Sequence, residues 1–193
     1  MQVKLEIGRG VHYITANNIL TPDELQMLWA TTEYIIPHMR GPEHTGASSA
    51  KRGTGIFTNL MQPVPTIHHI INDRFRQMLS YVEKSIPLSS PLQYGKHIRR
   101  CDTLVQNYKN NDGYNFHVDL SALTCCYTYF KQPKDFSGGN FCIPNIDVNI
   151  EATDNSAIIF PSFLEHAVSD VSTSSHDKLA GRFSICTLAY TND

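Results

Sequence analysis

The chain has 193 residues, of which 41% are hydrophobic and 18% charged, a balance that fits one folded domain and excludes a disordered segment. A net charge of −2 and a pI near 6.5 lack the basic excess of a dedicated nucleic-acid binder. No apolar run approaches the length of a membrane span, and the N-terminus lacks the apolar core of a signal peptide, so a cytoplasmic protein with no membrane partner is expected.

The opening "MQVKLEIGRGVHYI" alternates as a strand does. In "ILTPDELQMLWATTEYII" a helix start is written out: Thr21 caps, Pro22 takes the first helical position, and Glu24 completes a capping box. The stretch "HMRGPEHTGASSAKRGTG" is rich in Gly, Ser and charge and reads as a long loop. A second helix is expected over about 65–84, with Ile67, Ile70, Ile71, Phe75, Met78, Leu79 and Val82 forming one apolar stripe. From about residue 96 the pattern becomes β, with segments near 100–108, 114–119, 124–130, 139–143, 156–160, 166–171 and 182–190 separated by turn clusters. Helices followed by many short strands indicate an α+β domain with a β-sandwich or barrel core. The five cysteines include no C-x-x-C pair, so reduced core thiols are expected and not a structural zinc site.

Three features of the second half bear on chemistry. In "YKNNDGYNFHVD", His117 and Asp119 are two residues apart and would share one face of a strand. Alone, such a pair fits a solvated surface strand. His166 follows a buried apolar strand in "AIIFPSFLEHAVSDV", and Arg182 opens the apolar strand "GRFSICTLAY", with Ser184 on its face. Two histidines and one carboxylate on one side of a metal leave three positions open, a donor set that suits Fe(II) oxygen chemistry. An arginine entering a buried β-core needs an anion, which a ligand carboxylate held bidentately supplies.

The pattern H-x-D … H … R-x-S resembles the 2-oxoglutarate- and Fe(II)-dependent dioxygenases. More narrowly, "NYKNNDGYNFHVD" is similar to the stretch that introduces the first iron ligand in prolyl 4-hydroxylases, and "CCYTYF", "SGGNFCIP", "AIIFPS…EHAVSDV" and "GRFSI" follow in family order. "LTPDELQML" and "KRGTGI" are like the HIF-type prolyl hydroxylases and their bacterial relatives. The resemblance implies a single domain over 1–193, helix-rich over 1–95, with a double-stranded β-helix (jelly roll) core over roughly 96–193.

It also implies that His117, Asp119 and His166 ligate Fe(II) and form the catalytic centre. Arg182 would bind the distal carboxylate of the co-substrate 2-oxoglutarate, assisted by Tyr129. Tyr108 would stand near the metal-chelating end, and Ser184 would complete the R-x-S pair. From the residue pattern alone Tyr129 also fits a core aromatic, and Tyr108 a tyrosine that packs at a strand end. Gly138 and Gly139 would make a tight turn between core strands. The connection "STSSHDKLAG" between His166 and Arg182 is longer than the family's usual one, but no other arginine downstream of His166 competes for the anchor role.

The activity so implied converts a prolyl residue, O₂ and 2-oxoglutarate to a hydroxyprolyl residue, succinate and CO₂, with ascorbate as an accessory reductant. The partner is a proline-containing peptide or protein, over which the loop near 40–56 would fold as a lid. A free amino acid or other small molecule is the alternative substrate for the same iron chemistry. Nucleic-acid demethylation fits less well, because Leu188 and Ala189 occupy the region where such enzymes usually carry a second arginine. A non-catalytic jelly-roll binding module fits poorly with an intact ligand set.

Overall fold

The computed structural model describes residues 1–45 and 49–192. Residues 46–48, in the middle of the expected lid, lie outside the described residues.

The alternating N-terminal segment is a hairpin and not a lone strand. β1 (Gln2–Gly8) and β2 (Val11–Asn17) pair antiparallel from Gln2↔Asn17 to Gly8↔Val11, and the turn places Arg9 and Gly10 at positive φ. α1 (Pro22–Ile35) begins as its local sequence dictates: Glu24 N donates to Thr21 Oγ1 at 3.3 Å, and Thr21 N donates to Glu24 Oε2 at 2.9 Å. Such a cap stabilises a helix by about 1 kcal/mol. α2 (Thr66–Val82) buries Ile67, Ile71, Phe75, Met78, Leu79 and Val82, the expected stripe with Ile70 left partly exposed.

The remaining strands are β3 (Thr54–Phe57), β4 (Arg100–Tyr108), β5 (Tyr114–His117), β6 (Leu123–Tyr129), β7 (Ser137–Gly138), β8 (Phe141–Ile143), β9 (Val148–Ile150), β10 (Ser156–Pro161), β11 (His166–Val168), β12 (Val171–Ser172) and β13 (Arg182–Tyr190). They form a seven-stranded sheet in the order β1-β2-β10-β6-β13-β4-β3, a four-stranded sheet in the order β5-β11-β8-β9, and the pair β12-β7. The first half is therefore less purely helical than expected, since β1, β2 and β3 supply both edges of the large sheet.

Three layers follow from strand alternation. On one face of the large sheet Ile14, Tyr127, Tyr129, Phe183 and Ile185 pack with Leu28, Ile35, Ile71 and Phe75 of the helices. On the other face Cys126, Ile158 and Phe160 meet Phe141, Ile143, Val148 and Val168 of the small sheet. Every side chain of β4, β6 and β13 is thereby assigned to the helix side or the inter-sheet side by parity alone. Among the described residues no helix is long and apolar enough to cross a membrane, and the five cysteines are free.

Candidate metal and anion site

His117 is the last residue of β5, and Asp119 lies beyond it. The two do not share one strand face as the sequence pattern suggested. Instead the chain leaves the sheet after His117, and Asp119 N donates to Ser162 O at 3.0 Å. A hydroxyl cluster then fixes the carboxylate: Thr124 Oγ1 donates to Asp119 Oδ2 at 2.6 Å, and Ser162 Oγ lies 2.8 Å from the hydroxyls of both Thr124 and Ser121. His166 opens β11 directly opposite His117 in the antiparallel ladder.

Both imidazoles are held the same way. His117 Nδ1 lies 2.8 Å from Asn115 O, and His166 Nδ1 lies 2.9 Å from Leu164 O. A carbonyl only accepts, so each Nδ1 carries the proton and each Nε2 keeps its lone pair. Those Nε2 atoms are 3.7 Å and 3.5 Å from Asp119 Oδ1 and Oδ2, a gap that two bonds of about 2.1 Å to one ion span. Tyr114 stacks on the His117 ring at 3.6 Å, and Phe141 and Phe160 flank His166. Burial lowers the pKa of His117 and pushes that of His166 down to about 4, so both rings are neutral at physiological pH, the form that binds a metal. Among the described residues this is the one cluster of three such side chains with converging ligand atoms.

Arg182, the first residue of β13, is 1% exposed. Its Nη2 donates to Thr128 Oγ1 at 3.0 Å, while among the described residues Nε and Nη1 have no partner, and its guanidinium carbon is 5.5 Å from the Tyr108 ring centre. Buried guanidinium donors without an acceptor are costly, and a carboxylate is the ligand whose geometry satisfies them. Gly139 makes room for this arginine: at φ +68° it adopts a left-handed conformation, and a Cβ there would sit 2.8 Å from Arg182 Cδ. Gly138, at φ +72°, is the last residue of β7, so the pair expected to turn between core strands instead ends a strand with two left-handed residues.

The histidines, Asp119, Arg182, Tyr108 and Ser184 line one cavity of about 200 Å³. Tyr108 and Ser184 both donate to Gln106 Oε1 at 3.1 Å. Gln106 was missed in the sequence, although it stands two residues before Tyr108 and so shares its face. Thr128, the partner of Arg182, was missed as well. Tyr129 is not brought to the site. It faces the helices, where its hydroxyl lies 3.0 Å from Thr32 Oγ1 and its ring packs on Trp29 and Phe183. The role expected for Tyr129 thus has no geometric basis, because strand parity puts Thr128 and not Tyr129 on the inter-sheet side.

No protein-family model matches the sequence, and no curated protein matches it. Solved structures do. A prolyl-4-hydroxylase from Pseudomonas putida superposes with a TM-score of 0.65 at 12% identity, covering 94% of this chain and 93% of that one. A prolyl hydroxylase from Trichoplax adhaerens, in complex with a hypoxia inducible factor peptide fragment, gives 0.66 at 13% identity, covering 93% and 83%. The 2OG complex of the viral collagen prolyl hydroxylase from Paramecium Bursaria Chlorella virus-1 gives 0.53 at 15% identity, covering 92% and 94%. The chain has the prolyl-hydroxylase fold. At such low identity the likeness is one of architecture, and the site of this prolyl-hydroxylase fold stands on its own geometry.

Proposed function

We propose that the chain is an Fe(II)- and 2-oxoglutarate-dependent dioxygenase that hydroxylates a prolyl residue of a peptide or protein. The observation that carries this reading is the pairing, in one cavity, of a His117–Asp119–His166 donor set with a buried arginine, two of whose guanidinium nitrogens have no partner among the described residues. The strand plan supports it: β4, β5, β6, β8, β9, β10, β11 and β13 fall in the order large, small, large, small, small, large, small, large between the two sheets. That is the distribution of a double-stranded β-helix, and β1 to β3 join its large sheet, in keeping with one domain over 1–193.

In this reading His117 Nε2, Asp119 and His166 Nε2 hold the iron, with Thr124 orienting the carboxylate. Arg182 takes the distal carboxylate of 2-oxoglutarate through its remaining guanidinium N–H groups, and Thr128 keeps the guanidinium in place through one Nη2 N–H. Tyr108, Ser184 and Gln106, joined by the two hydrogen bonds to Gln106 Oε1, line the same cavity and would flank the body of the co-substrate. Iron(II) with 2-oxoglutarate supplies oxygen activation coupled to decarboxylation, giving succinate, CO₂ and a hydroxylated carbon, with ascorbate as accessory reductant. The protein orients the partners and walls the site with Tyr114, Phe141 and Phe160.

A macromolecular substrate accounts for the rim. Phe116, Val118 and Leu120 are 54%, 52% and 95% exposed and alternate with the two metal-binding residues, an apolar edge suited to an extended peptide. The peptide held by the Trichoplax adhaerens prolyl hydroxylase is in line with this.

Anaerobic titration with Fe(II) and 2-oxoglutarate tests the reading through the metal-to-ligand charge-transfer band. The band should form in the parent protein and be lost in His117→Ala and weakened in Arg182→Ala; its absence from the parent overturns the proposal. A screen of proline-containing peptides for the mass gain of one oxygen then tests the substrate.

A further inference from the structure

Lys51 is 3% exposed, yet among the described residues its ammonium makes one hydrogen bond, to Thr45 Oγ1 at 3.3 Å, and no salt bridge. A buried ammonium has three donors to satisfy and a charge that needs an anion. The main chain of Lys51 bridges Tyr114, the residue stacked on His117. Its Nζ occupies the space of a missing side chain, because a Cβ on Gly55 would lie 3.0 Å from it. Gly55 pairs with Gln106 in the β3–β4 ladder, and cross-strand partners project to the same face. That face is the cavity wall carrying Gln106, Tyr108 and Ser184, and Thr45 lines the same cavity. Glycine at 55 thus leaves room for the lysine ammonium directly behind that wall, beside Thr45.

Arg182 in the cavity lining and Lys51 behind the wall that carries Gln106 are thus two buried cations with no salt bridge among the described residues. Given the dioxygenase reading, on which this inference rests, the divalent iron, Asp119, the dicarboxylate co-substrate and Arg182 cancel one another. Lys51 is the charge left over. Burial pulls its pKa down to about 8 against the opposing effect of Cys186 and Asp112, so the protonated ammonium is held at a cost that an incoming anion would offset.

We propose that Lys51 anchors a carboxylate of the primary substrate, so that the enzyme selects a proline with an anionic group beside the oxidised ring. That carboxylate comes either from an acidic residue flanking the proline in a peptide or from the α-carboxylate of a free amino acid. Both present the same charge at the same place, and the test separates them.

The anaerobic Fe(II)–2-oxoglutarate form of the wild type, Lys51→Met, Lys51→Arg and Lys51→Glu is titrated with proline peptides flanked by Glu, Gln or Lys, and with L-proline and its amide. The shift of the charge-transfer band reports binding, and succinate release reports KM and kcat. Wild type should bind the Glu peptide over the Gln peptide, or L-proline over its amide, by about 10-fold to 100-fold, the range of one charge-assisted hydrogen bond. Which pair shows the preference identifies the source of the carboxylate. Lys51→Arg should retain the preference, Lys51→Met abolish it through KM, and Lys51→Glu favour the Lys peptide, while the affinity for 2-oxoglutarate changes less than about twofold.

Equal binding within both pairs in the wild type overturns the proposal, as does a Lys51→Met protein that loses 2-oxoglutarate affinity while keeping the preference. A band that forms normally without charge preference removes this inference alone. A band that never forms removes the dioxygenase reading and this inference together.

Discussion

Arg182 Nη2 donates to Thr128 Oγ1 across 3.0 Å, a bond between neighbouring strands that uses one corner of the guanidinium and aims the rest at the cavity. Replacing the arginine would remove the proposed anion site without touching a proposed metal ligand. Arg182→Met should therefore lose about 2–5 kcal/mol of 2-oxoglutarate binding while binding Fe(II) or Mn(II) as the parent does. Calorimetric titration of metal and co-substrate separately checks this; parallel loss of both would show that the arginine only supports the fold.

The hydroxyl of Thr124 orients Asp119 through a 2.6 Å hydrogen bond. Thr124→Val keeps the shape and removes the donor. Metal affinity should fall about 10-fold or more, the usual effect of losing a partner of a ligating group, with little change in melting temperature. Competition of the apo protein with a metal-sensitive dye measures it. Unchanged affinity would mean that Ser162 and the backbone suffice to hold the carboxylate.

Tyr129 and Tyr108 are separated by a pair of conservative changes. Tyr129→Phe breaks the contact with Thr32 on the helix side and should cost about 1 kcal/mol in urea denaturation, with an unchanged 2-oxoglutarate titration. Tyr108→Phe removes one of the donors to Gln106 Oε1 inside the cavity, leaving Ser184, and should alter the titration. The reverse outcome would restore Tyr129 to the co-substrate site.

Lys51 gives a pH dependence with a definite sign. Its pKa falls from an unfolded value near 10.4 to about 8 in the fold, chiefly through burial. Between those values the unfolded chain binds the proton and the folded chain does not, so folding stability rises with pH across that window. Below it both states are charged and the burial penalty is fully present. Lys51→Met should accordingly be more stable than the parent by up to about 3 kcal/mol near pH 7, and the gain should fade as pH approaches about 10. Urea denaturation at the two pH values checks it; a gain independent of pH would show that the change in packing, not charge, is responsible.

What the sequence revealed depended on how local the cause was. The capping box of α1 is written within four residues, and its geometry is as read. The His117–Asp119–His166 set was also legible, although for a partly different reason: β5 stops at His117, and convergence comes from the Ser162 and Thr124 contacts, which no spacing rule encodes. Tyr129 shows where reading stopped. The β13–β6 register pairs Phe183 with Tyr129 and Ser184 with Thr128, and only that long-range register tells which residue faces Arg182. Lys51 was hidden likewise, since its burial depends on a bridge to Tyr114 and on the space over Gly55. The hairpin of β1 and β2 looked like a prelude to a helical half because its partner β10 is distant in the chain.

The two sheets contribute opposite halves of the site. β5 and β11 of the small sheet bring the histidines, whereas Arg182 enters from β13 of the large one. A metal-bound dicarboxylate reaching the arginine would therefore rivet one leaf of the sandwich to the other. Loading should slow amide hydrogen exchange in β5 and β11 more than in β6 or β13, and raise the melting temperature in step with ligand concentration. If the dioxygenase reading holds, the co-substrate would also be a mechanical part, and consuming it would remove the link between the two leaves.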